Sequence, residues 1–117
     1  MTIRFYVFMA AALAATPASA HVTLDGKQAA VGAEYKAVFV VPHGCAGSPT
    51  IKLRVQIPEG VIATYLASSL KPNTTLYFPV VQECEQGVSR WIEIPPDGAT
   101  HSHEGKWPAP GVKLTKP

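Results

Sequence analysis

Cysteine, charge and long apolar runs are all scarce in this chain of 117 residues. Only 15% of the residues are charged, and ten basic side chains against eight acidic ones leave a net charge of +2. No basic stripe interleaved with aromatics emerges from so even a balance, which excludes nucleic acid as an expected partner. The two cysteines, Cys45 and Cys84, lie far apart in sequence. That spacing argues against a Cys-x-x-Cys redox pair or a thiolate metal cluster. The one sustained apolar stretch, residues 5–15, is too short to span a bilayer comfortably. Long helices are disfavoured by eleven prolines distributed among short apolar runs, a pattern that instead predicts strands joined by turns.

What is present begins with a three-part leader. Arg4 supplies a positive start, residues 5–15 an apolar middle, and Ala18-Ser19-Ala20 the small residues before a cleavage point. Residues 1–20 therefore read as a signal peptide cut between Ala20 and His21. Residues 21–117 are left as a single domain, large enough for one modest core.

Such a cut places a histidine at the mature N-terminus. The α-amine and imidazole Nδ1 of His21 can close one chelate ring around a square-planar cation, and Cu(II) is the first-row divalent ion that most favours nitrogen-rich tetragonal sites. Both nitrogens bind a metal in their unprotonated forms, and the Val22 amide could add a third. The plain alternative is that His21 is merely the first residue of an exported chain.

An even cysteine count in an exported chain is most simply one disulfide, Cys45 to Cys84. It would close a loop of about forty residues, for which chain-entropy models give about 3 to 4 kcal/mol.

Short strands are predicted along the mature chain. Residues 21–24 form the first, ended by Asp25-Gly26. Residues 34–41 follow, with Tyr35, Ala37, Phe39 and Val41 on one face and with an opposite face that turns from polar to apolar, as in a strand entering an interior. In residues 50–58, Ile51, Leu53, Val55 and Ile57 alternate with Lys52, Arg54 and Gln56, so all four apolar residues are expected on the core. Residues 75–81 and 87–94 give two more, with Pro79 at an edge or bulge. In the latter, Trp91 shares a face with Ser89 and Glu93 and is expected to be half exposed. Residues 112–114 add a last strand, while residues 61–70 fit either a strand or a short helix. The fold class is all-β, a small immunoglobulin-like or Greek-key β-sandwich.

Several blocks carry a family resemblance: Ala20-His21-Val22-Thr23-Leu24, Val41-Pro42-His43-Gly44-Cys45, Val55-Gln56-Ile57-Pro58-Glu59-Gly60 and Tyr77-Phe78-Pro79-Val80-Val81-Gln82-Glu83-Cys84. With Arg90-Trp91-Ile92-Glu93-Ile94-Pro95 and Pro108-Ala109-Pro110-Gly111, the chain resembles the YcnI-like family of exported bacterial copper-associated β-sandwiches. Family members carry further central strands between the third and fourth blocks, where this chain has only residues 62–70. The resemblance thus implies an internally shortened member with an incomplete sandwich.

The resemblance also implies a site. The family's N-terminal histidine ligand maps onto His21 and its neighbouring tryptophan onto Trp91. Its carboxylate ligand has no clear counterpart here, leaving Glu83, Glu85 and Glu93 as substitutes. His43, beside Cys45 in a Gly-rich loop, is a further candidate, against an ordinary turn role. His101 and His103 form a His-x-His pair that fits either weak metal binding or a solvated linker. Trp107 is expected to pack the tail.

The expected function is non-enzymatic: an exported, periplasmic protein that holds Cu(II) for trafficking or storage and exchanges it with an envelope copper chaperone or copper-transport membrane protein. A copper-dependent oxidase with a terminal histidine is the alternative, and it would need a second histidine facing His21. A truncated remnant without metal is another. Exposed sheet edges would favour a dimer.

Overall fold

The computed structural model describes residues 21–96 and 106–117. The expected leader, and the pair His101 and His103, lie outside the described residues. Ten strands and no helix occur among the described residues: β1 (Thr23–Leu24), β2 (Gln28–Ala30), β3 (Phe39–Val40), β4 (Thr50–Val55), β5 (Val61–Ile62), β6 (Tyr65–Leu66), β7 (Thr75–Tyr77), β8 (Val80–Cys84), β9 (Val88–Trp91) and β10 (Gly111–Thr115). They form two three-stranded sheets, β2-β10-β7 and β4-β8-β9, and two small ribbons, β1-β3 and β5-β6. All pairings are antiparallel except β10 with β2. The architecture is a small β-sandwich, as its alternating patterns predict.

Pro79 connects the two three-stranded sheets. A continuous strand over residues 75–81 is expected from the sequence, but the chain divides there. Tyr77 pairs with Gly111 in one sheet, whereas Val80 pairs with Val55 and Trp91 in the other. Proline brings no N–H to the ladder, so pairing stops at it. Phe78 turns inward at the crossover, 2% exposed, and meets Phe39 edge-on at 6.0 Å.

Two apolar clusters fill the interior. Leu24, Val31, Leu66, Phe78, Val112 and Leu114 form one; Val22, Val80 and Trp91 form the other. Phe39 and Val55 pack against both and join them. Gly111 stands where β10 runs close to β7, since a Cβ there would lie 2.8 Å from Thr75 Cγ2.

Several strands depart from their sequence pattern. In β4, Leu53 and Val55 turn inward, but Ile51 and Ile57 are 64% and 60% exposed. The register against β8 slips between Thr50 and Lys52, a bulge that turns Ile51 outward, and Ile57 lies past the strand's end. Only residues 39–40 of the expected 34–41 strand join a ladder, and Val38 and Val40 stay exposed because the β1-β3 ribbon covers a core on one face only. The ambiguous segment is a hairpin, Val61 opposite Leu66 and Ile62 opposite Tyr65, with Ala63 at φ 52° in its two-residue turn.

The disulfide expected from the cysteine count is present. Cys45, in the loop before β4, joins Cys84 at the end of β8 with Cα atoms 6.0 Å apart. Such a bond in so small a domain is compatible with an extracytoplasmic location.

Candidate metal centre

His21 lies two residues before β1, and Val22 between them is 1% exposed in the cluster with Val80 and Trp91. That anchor holds the histidine at the rim of the sandwich. Its imidazole lies against the Trp91 indole, with ring centroids 5.4 Å apart and planes tilted by 57°. Trp107 lies 4.9 Å from Trp91, so three rings are in sequence, His21, Trp91 and Trp107.

Trp91 is 4% exposed, not half exposed as its neighbours in sequence suggest. The faces of β9 are inverted relative to their hydropathy: Ser89 and Trp91 point inward, while Val88, Ile92 and Ile94 are exposed. A buried polar partner makes this stable. Trp91 Nε1 donates to Gln82 Oε1 at 2.9 Å. Gln82, 1% exposed, uses Nε2 to donate to the His43 carbonyl and to Thr50 Oγ1, both at 2.7 Å. Its acceptor and both donor hydrogens are engaged, which removes the cost of burying an amide.

Gln82 was not among the residues singled out by the sequence. A signal was available, because it sits two residues before Cys84 on a strand, and residues two apart share a face. A disulfide cysteine turned inward therefore carries Gln82 with it.

The candidate carboxylates are placed elsewhere. Glu83 is on the opposite face of β8 from Gln82 and takes a hydrogen bond from Arg54 Nε at 2.7 Å. That bond, reinforced by the charges of Arg54, Lys52 and Arg90, holds its carboxyl below the usual glutamate range despite some desolvation. Glu83 is therefore engaged away from the Trp91 face. Glu85 and Glu93 are exposed, and their backbone amides bond to Pro49 and Trp107. His43 is exposed and contributes its carbonyl to Gln82. Among the described residues, no group of three or more His, Cys, Asp or Glu side chains gathers as a metal cluster.

A cleft of about 260 Å³ opens beside His21, lined by residues 21–24, Lys27 and residues 108–111. No carboxylate lines it, and His21 is its one metal-ligating side chain. The donor set fits a tetragonal cation at two positions, the imidazole and the α-amine that cleavage after Ala20 would free, with the remainder falling to water or an external ligand.

Comparison with known proteins gives a family and no closer relative. No curated protein and no solved structure matches the chain. A family profile described as "Domain of unknown function (DUF1775)" matches residues 21–69 and 63–114. Between them the two stretches take in β1 through almost all of β10, including His21, both cysteines, Gln82 and Trp91. The chain belongs to the DUF1775 family.

Proposed function

We propose that this is an exported copper-binding protein that holds Cu(II) through His21 as its mature N-terminal residue. The observation that carries the assignment is the placement of His21: two residues before β1, its ring on Trp91, beside an open cleft. Copper, when bound, supplies the charge and the tetragonal preference. The chain's own residues do the rest. The amine and imidazole of His21 chelate; Val22 anchors the terminus; Trp91 gives the imidazole a fixed apolar surface and shields that side from water.

The role is holding and handing over rather than catalysis. An open cleft with two protein nitrogens leaves positions at which a partner's ligand can enter, as transfer to an envelope copper chaperone or a copper-transport protein requires. A periplasmic setting accords with the disulfide and with the leader-like first twenty residues. The chain is further inferred to be a shortened family member, with the β5-β6 hairpin standing where longer members continue their central strands.

Electron paramagnetic resonance of the chain starting at His21, titrated with Cu(II), tests the assignment. One tetragonal signal per chain is expected, and its loss in His21→Ala. An unchanged signal in His21→Ala would refute it.

A further inference from the structure

Trp91 has one polar atom, and that atom is committed inward to Gln82. An indole on a β-strand has several staggered side-chain orientations, and in the one adopted the ring packs on Val22, Val80 and Trp107 while its N–H meets the Gln82 oxygen. Gln82 in turn cannot turn over, because a flipped amide would put its NH₂ group against the indole N–H and its oxygen against the His43 carbonyl. The His43 carbonyl and Thr50 Oγ1 therefore fix the amide, the amide fixes the indole, and the indole supports His21. The loop carrying His43 is itself clamped to β8 through Cys45, next to Gln82.

We propose that Gln82 is a positioning residue for the His21 face: its buried amide sets the rotation of Trp91, so that the ring surface and not the indole N–H bears on the imidazole. This goes beyond the copper assignment, and its copper consequence alone rests on that reading. The amide does not touch the metal. It acts on a metal ligand through the ring that the ligand rests on, as outer partners of metal-bound histidines do.

Nuclear magnetic resonance of the metal-free chain starting at His21 reads the effect directly. The Trp91 ring current displaces the His21 imidazole proton resonances, and the Trp91 indole proton is expected to exchange slowly. In Gln82→Met, which keeps the bulk but has no donor and only a weak thioether acceptor, the displacement collapses and the indole proton exchanges at least tenfold faster. The Val112 and Leu114 methyl resonances of the other cluster report that the sandwich is intact. In Gln82→Glu, burial favours the neutral carboxyl, which accepts from the indole and donates to His43 as the amide does, so the displacement is retained. With Cu(II), Gln82→Met raises the dissociation constant about tenfold. An undisturbed His21 displacement in Gln82→Met overturns the positioning role, as does its loss in a folded Gln82→Glu protein whose carboxyl is neutral. Failure of wild-type copper binding, with the metal-free shifts behaving as expected, refutes the copper assignment alone.

Discussion

Trp91 turns its indole N–H onto Gln82, 2.9 Å from nitrogen to oxygen, while its ring lies 5.4 Å from that of His21. One side chain thus joins the polar interior of the β4-β8-β9 sheet to His21 at its rim. Stability and site geometry share residues here, and the predictions separate them.

Replacing Gln82 by leucine removes three hydrogen bonds and strands the Trp91 N–H and the His43 carbonyl. Urea denaturation is expected to show a loss of about 3 kcal/mol. A loss below about 1 kcal/mol would mean that water replaces the amide without penalty.

Trp91→Ala empties the centre of the second cluster, where Val22 and Val80 pack. Truncations of this kind cost about 3 to 5 kcal/mol, so thermal melts should shift downward sharply. Trp107→Ala, at a half-buried position, should shift them much less.

Reducing the Cys45–Cys84 bond should lower the free energy of unfolding by about 3 to 4 kcal/mol, the loop-closure contribution expected for a separation of 39 residues. Denaturation with and without a phosphine reductant measures it.

Glu83 gives a pH dependence of known sign. Its carboxyl is held below the ordinary range chiefly by Arg54, so its charged form is favoured by folding. The contribution is present above the unfolded glutamate value and is lost as pH falls through the lower, folded one. Wild type should therefore exceed Glu83→Gln in stability at neutral pH, with the difference closing in acid and shrinking in high salt because the pair is exposed. A difference that persists unchanged below the folded value would exclude this ion pair as its source.

Much of the fold was legible because short alternating strands, turn residues and a cysteine pair are local signals. Pro79 pointed to an edge or a bulge in one strand, not to the division between two sheets, which depends on where β10 lies. Single-strand periodicity failed where pairing overrides it: the bulge at Ile51 is set by β8, distant in sequence, and the inverted faces of β9 follow from its hairpin register with β8, which puts Trp91 on the same side as Gln82. The resemblance points to Trp91, while the polar look of Ser89 and Glu93 suggests half exposure for a side chain that is 4% exposed. Gln82 explains the difference, since a buried amide lets a polar-looking face turn inward.

The copper assignment rests most on the chelate formed by the amine and imidazole of His21. Calorimetric titration of Cu(II) into the chain starting at His21, with its α-amine free or acetylated, tests that chelate while leaving every side chain in place. The free-amine protein is predicted to bind one Cu(II), and acetylation to weaken it by about a hundredfold or more, because the second nitrogen binds as an intramolecular ligand. Equal affinity in the two forms would contradict the assignment.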